Sequence, residues 1–221
     1  FNHDELIQIA AARMVHGEIT GWYVTFVNPG KPIPEEVAHL TNISDEDVAN
    51  APDPNTAVAG LVEFVGSSDV VAHNANFDRT FCTKYPTGEV LKQNYWIDSL
   101  DLAKIALPRL TSHRLLDLVR AFGGPDSTHR ADDDVAATCL VYRVLLAAVD
   151  NMPTPLLQHI AGMCDTDTWN TERVFKCLAA MKASEGPYNL RASRKAAVAQ
   201  ASAPLRPDAN VPDVSPAGEK L

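Results

Sequence analysis

The sequence is short of positive charge. Its 19 Lys and Arg face 28 Asp and Glu across 221 residues, a formal net charge of −9. A protein that coats nucleic acid through a broad basic face shows the opposite balance, so any nucleic-acid site here must be small and local. Cysteine is scarce and scattered: Cys82, Cys139, Cys164 and Cys177 contain no Cys-x-x-Cys pair. That argues against a disulfide framework and a cysteine zinc site, and fits a reducing cytoplasm. No run approaches the ~18 apolar residues of a membrane span, and no signal-peptide pattern opens the chain, so no membrane partner is expected. What is present is an ordinary globular balance, 46% hydrophobic and 21% charged. At ~150 residues per domain, the length fits one full domain plus a remnant.

Apolar residues run from Glu5 to Met14, His16-Gly17-Glu18 supplies a turn, and Trp22, Val24 and Phe26 alternate with Tyr23, Thr25 and Val27. This period-2 pattern predicts an antiparallel hairpin. Asn28-Pro29-Gly30-Lys31-Pro32 is a loop by its turn residues. Ser44 with Asp47 marks a short helix, and Asp53-Pro54 offers an N-cap and a first-turn proline for a longer one. In that helix Val58, Leu61, Val62 and Val65 form one apolar stripe. Val70 to Ala72 is a short buried strand, followed by a helix from about Asn76. Tyr95-Trp96-Ile97 is another strand, with Ser99 read as the cap of the next helix. Leu115, Leu118, Val119 and Phe122 form a further stripe stopped by Gly123-Gly124, and a long helix runs from about Ala131 to Val149. Strands followed by strand–helix alternation predict a mixed sheet with helices packed on it.

The organisation expected along the chain is a catalytic-type domain over 1–149, a helical extension over 150–186, and a linker or disordered tail over 187–221, rich in Pro, Ala and Ser. Phe1 is not an initiator methionine, and strand-like periodicity begins almost at once. The N-terminus therefore reads as cut inside a domain.

Three patches carry chemistry. Val71-Ala72-His73-Asn74-Ala75-Asn76-Phe77-Asp78 follows the short strand, where open α/β sheets place their sites. Asp98-Ser99 ends the next strand. His129-Arg130-Ala131-Asp132-Asp133-Asp134 opens the long helix. Three adjacent carboxylates repel one another, and one of them should point inward. Asp132 shares a partly polar stripe with Ala136, Cys139 and Arg143; Asp133 aligns with Leu140 and Val144, and Asp134 with Val141 and Leu145. Periodicity excludes Asp132 and leaves the other two open. His129 reaches a carboxylate of this helix only from the loop before it, since five helical steps put it on another face. A histidine placed there is suited to act as a general base.

His-Asn-Ala-x-Phe-Asp, followed about fifty residues later by His-x-Ala-x-x-Asp, resembles the second and third motifs of the DnaQ-like DEDDh 3′–5′ exonuclease family. Asp4-Glu5-Leu6-Ile7-Gln8-Ile9-Ala10 resembles that family's first strand pair, and Val27-Asn28-Pro29-Gly30, Ile33-Pro34 and Leu40-Thr41-Asn42-Ile43-Ser44 follow its next passage. Asn42 stands where the family usually has Gly, and Asn tolerates left-handed backbone. Trp96-Ile97-Asp98-Ser99-Leu100 is similar to its "vDTL" strand end. The likeness covers roughly residues 1–149.

The resemblance implies an RNase H-like α/β fold, with a five-stranded mixed sheet, its first three strands antiparallel, flanked by helices. It implies hydrolysis of 3′-terminal phosphodiesters of single-stranded DNA or RNA with two Mg²⁺ (or Mn²⁺) ions. Asp78 and Asp134 become metal ligands, His129 the general base, and Asn74 and Phe77 substrate contacts. The motif spacing of the family selects Asp134 over Asp133. The family's first motif, Asp-x-Glu-Thr-Thr-Gly, ends just before the position of Phe1, so its two carboxylates are absent from this sequence, and this stretch alone is expected to be inactive. Roles in proofreading, replication or repair follow, with a polymerase, a helicase or a fused downstream domain as partner. Two other readings stand beside it: a non-catalytic nucleic-acid- or polymerase-binding module, and an accessory exonuclease domain of a larger helicase or nuclease.

Overall fold

The computed structural model describes residues 5–124, 130–163 and 171–185. Strands β1 (Gln8–Val15) and β2 (Glu18–Phe26) form the expected antiparallel hairpin, from Gln8 opposite Phe26 to Val15 opposite Glu18. His16 (φ 51°) and Gly17 (φ 83°) both turn left-handed at its tip, the backbone twist that tight hairpins favour. A bulge between Arg13 and Met14 shifts the register.

Helix α1 (Glu35–Thr41) closes on Asn42 at φ 53°, the left-handed position that the sequence assigned to an asparagine in place of glycine. Ser44 and Asp47 form a reciprocal capping box on α2 (Asp45–Val48). Asp53 accepts from the amides of Asn55 (2.9 Å) and Thr56 (3.3 Å) at the start of α3 (Pro54–Val65). The inner face of the hairpin lies over α3 with little clearance: the Tyr23 hydroxyl donates to the Ala57 carbonyl at 2.6 Å, and a Cβ on Gly60 would stand only 2.6 Å from that hydroxyl.

Strands β3 (Val70–Ala72) and β4 (Trp96–Asp98) pair in parallel, with Ala72 beside Asp98. Between them run α4 (Ala75–Thr83) and a 3-10 helix, Pro86–Gln93. After β4 come α5 (Ser99–Ala106), α6 (Leu115–Ala121), α7 (Ala131–Asp150), α8 (Thr154–Gly162) and α9 (Glu172–Glu185). No single described helix is long and apolar enough to cross a membrane.

One expectation is not confirmed and another needs correction. Among the described residues the four strands form two separate two-stranded sheets, β1-β2 and β3-β4, rather than one five-stranded sheet with three antiparallel strands. No described strand bridges the two pairs, so their backbone ladders do not join. Ser99 is also not the cap of α5: Asp98 holds that place, its carboxylate accepting from the Leu100 amide at 2.9 Å, and Ser99 is the first helical residue.

The alternation of β4 divides the interior. Trp96 enters a cluster with Ile9, Val27, Val58, Leu61 and Leu91, under the hairpin and α3. Its neighbour Ile97 points to the other face, into a cluster with Leu102, Leu118, Val141, Leu145 and Val149. Leu157 of α8 and Val174 and Phe175 of α9 belong to this second cluster. The helices over 150–186 therefore share an interior with the strand that carries Asp98. Arg173 adds an ion pair to Asp69 and lies over the Tyr95 ring at 4.0 Å.

Candidate active site

Parallel pairing brings the ends of β3 and β4 side by side, and the chemistry-bearing patches meet at that edge. The buried Asp98 carboxylate organises it. One oxygen accepts from the Asn74 amide (3.1 Å) and the Leu100 amide, the other from the Ala75 amide (3.1 Å). The turn after β3 and the first turn of α5 are thus held by one side chain. Asn74 takes a left-handed backbone (φ 74°, ψ 56°), which an Asn side chain tolerates, and this reverses the chain into α4.

His73 forms a second strut. Its Nε2 lies 2.9 Å from the His113 carbonyl, which only accepts, so Nε2 carries the proton and donates. Its Nδ1 faces the Ser99 hydroxyl at 3.0 Å, and that hydroxyl also reaches the Ala72 carbonyl at 3.2 Å. Burial lowers the His73 pKa despite the His113 bond and the Asp98 charge, which favours the neutral ring that this geometry uses. His113 in turn reaches the Leu107 carbonyl through its own Nε2 at 3.0 Å. The 107–114 loop is therefore locked to the turn after β3.

Asp78 is half-buried one turn into α4. Its carboxyl is pushed up to about 6, first by burial and then by the negative charges of Asp98 and Asp134. The structure therefore brings Asp78 and Asp134, 56 positions apart in sequence, within electrostatic reach of each other. The same burial, with the Asp78 charge adding to it, drives the Cys82 thiol up to about 12. Such a thiol stays protonated and is no nucleophile.

At the start of α7, Asp132 and Asp134 face different surroundings. Asp132 turns toward β1, with Gln8 Nε2 and Arg130 Nε each 3.5 Å from its carboxylate. The carbonyl oxygen of the Gln8 side chain accepts from the Ala131 amide at 3.0 Å, so a strand residue caps this helix. Asp134 lines a groove of about 340 Å³ with Arg114, Leu115, Leu116, Asp117 and Arg120. His129, read as the general base, lies outside the described residues.

Asn74 and Phe77 are both exposed. The Asn74 side chain makes no cap bond to α4. Phe77 is 47% exposed and tilts against Phe81, ring centroids 4.8 Å apart, so its place is at the surface beside Asp78 rather than in the core.

Asp98 and His73 were visible in the sequence as parts of motif patches, but their partners were not. The signal for Asp98 is an acid between a strand and the first turn of a helix. Nothing local announces that it binds a turn 23 residues earlier.

No group of three or more His, Cys, Asp or Glu gathers into a metal-binding set among the described residues. Asp78 and Asp134 nonetheless suit part of one: two mutually repelling carboxylates, one of them half-buried and with no basic partner among the described residues. Hard oxygen donors of this kind match Mg²⁺ or Mn²⁺.

Asp98 at the end of β4 and Asp78 in the helix after β3 place carboxylates beside the ends of the parallel strands, an arrangement that suits a nuclease domain. The chain matches the RNase T exonuclease family over residues 2–142 and belongs to it, within the DnaQ-like group that its motifs resemble. Among curated relatives, the 3′-5′ exonuclease DinG of Bacillus subtilis is 33% identical over 162 residues, 71% of this chain and 17% of that protein. The PolC-type DNA polymerase III of Thermotoga petrophila is 30% identical over 191 residues, 85% of this chain and 14% of that protein. The chain thus spans less than a fifth of the length of either. Among solved structures, Exonuclease X in complex with 5′ overhanging duplex DNA aligns with a TM-score of 0.48 at 23% identity, over 62% of this chain and 80% of that one.

Proposed function

We propose that this domain is a 3′–5′ exonuclease that hydrolyses the terminal phosphodiester of a single nucleic-acid strand, DNA before RNA, in the cytoplasm. The observation that carries the reading is the electrostatic coupling of Asp78, in the helix that follows β3, to Asp134 at the start of α7. Burial, and then the charges of Asp98 and Asp134, disfavour the ionised Asp78 there, and a bound cation would offset both.

In this reading Asp78 and Asp134 hold the ions. Two Mg²⁺ (or Mn²⁺), when bound, supply a more acidic water and charge stabilisation at the leaving 3′-oxygen. His129 accepts the proton of the attacking water. Asp98 and His73 fix the turn from which Asp78 projects. The exposed Phe77 ring offers a stacking face to the terminal base, and the Asn74 side-chain carboxamide a hydrogen bond to the strand. DNA is preferred because the relatives named above include a DNA polymerase. The polymerase name and the small share of each relative that the chain spans support a setting in which the domain serves a polymerase or a fused downstream domain, with a helicase as the alternative partner.

The test follows nucleotide release from 3′-labelled single-stranded DNA and RNA by the full-length gene product with Mg²⁺ or Mn²⁺. Asp134→Asn should abolish release and Asp133→Asn should leave it. His129→Ala should slow turnover by roughly 10²–10⁴. Strand binding without any release by the unaltered protein would overturn hydrolysis and favour a non-catalytic binding module.

A further inference from the structure

The groove that reaches Asp134 has a composition the catalytic reading does not use. Arg114 caps α6 and is exposed, and no carboxylate pairs with its guanidinium among the described residues. The nearest acid along the helix, Asp117, is engaged with the Ser112 hydroxyl at 2.6 Å. Arg120, also exposed, brings a second guanidinium to the same groove, and Leu115 and Leu116 give it an apolar wall.

Its frame is rigid for two reasons. Leu118 and Val119 root α6 in the core with essentially no exposure. The approach to α6 is tied to the catalytic turn, because the His113 carbonyl, one residue before Arg114, is the acceptor of His73. A volume of about 340 Å³ sits at the small end of ligand sites. In a chain of net charge −9, this places two arginines in the same groove as Asp134 and Asp117.

A polynucleotide approaching two carboxylates needs that compensation. Guanidinium groups match phosphate oxygens in geometry as well as charge, and leucines suit the apolar faces of sugar and base. Resting on the exonuclease reading, we propose that this groove is the phosphate track of the site. Arg114 and Arg120 hold backbone phosphates of the strand whose 3′-terminal phosphodiester lies at Asp78 and Asp134. The contact is to the backbone, so it is independent of base sequence.

The test measures binding of a fluorescent oligothymidylate to the full chain in EDTA, across a range of salt concentrations, so that no turnover is needed. Arg114→Gln and Arg120→Gln should each weaken binding and reduce the slope of log K against log [salt] by about 0.7, the value per phosphate contact on a single strand. The double variant should lose about twice that. Arg114→Lys should keep most of the slope, because the charge remains. Lys92→Gln, whose ammonium pairs with Glu89 on the 3-10 helix outside the groove, should change neither. Unchanged affinity and slope in both arginine variants would overturn the phosphate track, as would a loss no larger than that of Lys92→Gln. Release of labelled nucleotide by the unaltered full-length protein is scored separately. A failed track with persistent release leaves the exonuclease reading standing, and absent release with a normal arginine effect removes hydrolysis while the strand-binding groove survives.

Discussion

The Asp98 carboxylate accepts the Ala75 amide at 3.1 Å, joining the end of β4 to the first residue of the helix that carries Asp78. A single buried anion thereby sets both the direction of α4 and the charge environment of the candidate metal ligand, since Asp98 is also one of the groups that raise the Asp78 pKa.

Asp98→Asn should therefore separate two effects. It removes the negative charge and replaces one acceptor oxygen with a donor that faces an amide. A destabilisation of about 1–3 kcal/mol is expected from the unsatisfied buried amide. Mn²⁺ affinity should fall as well, although Asp98 is no ligand, because Asp78 loses its fixed position. Urea denaturation and a Mn²⁺ titration on the same sample check both.

Asp78 makes the metal-free chain pH-sensitive in a defined direction. Its folded pKa of about 6 lies above its ordinary value, so between the two the folded chain holds a proton that the unfolded chain has released. Stability should fall as pH rises through roughly 4 to 6, by up to about 3 kcal/mol for the full shift. Asp78→Asn should remove that loss and raise the melting temperature of the apo protein above pH 6. Divalent ions should stabilise the unaltered chain more at pH 7 than at pH 5, where they compete with the proton.

His73 acts in the opposite sense. Its folded pKa lies below the ordinary imidazole value, so near pH 6 the unfolded chain binds more protons and stability rises with pH. The contribution is complete above about 6.5 and fades below it. His73→Gln keeps a donor for the His113 carbonyl but cannot titrate, and its stability should lack this acid-side decline. Denaturation midpoints between pH 5 and 7 decide it, and an unchanged decline would assign the effect to another group.

Much of this was legible locally. Asp53-Pro54, Ser44 with Asp47, His16-Gly17 and Asn42 announce caps and turns through the backbone conformations they favour, and each is found where the sequence put it. The long-range choices were not. Gln8 caps a helix that begins 123 residues later, and His73 selects a carbonyl 40 residues away. Such partners are set by packing, which leaves no periodic trace. The exchange of Ser99 for Asp98 as the cap of α5 is the same lesson on a smaller scale. Both residues are competent caps, and Ser99 is drawn instead to His73 and Ala72 by the neighbouring strand.

Phe175 tests the bond between the C-terminal helices and the rest. It is fully buried in the cluster that contains Ile97 of β4. Phe175→Ala should cost roughly 3–5 kcal/mol, as for other large core deletions. The loss should appear in one cooperative transition shared by the whole fold. A separate early transition confined to α8 and α9 would mean that they pack independently.

The central claim is that Asp78 and Asp134 together hold a divalent ion. Paramagnetic broadening of backbone amide signals by substoichiometric Mn²⁺ reads this directly, without turnover and even at weak affinity. The amides of Asn74 to Asp78 and of Ala131 to Asp134 should broaden first, Asp134→Asn should abolish that pattern, and Asp133→Asn should preserve it. Broadening centred instead on the exposed acids Asp45, Glu46 and Asp47, unchanged by Asp134→Asn, would contradict the account.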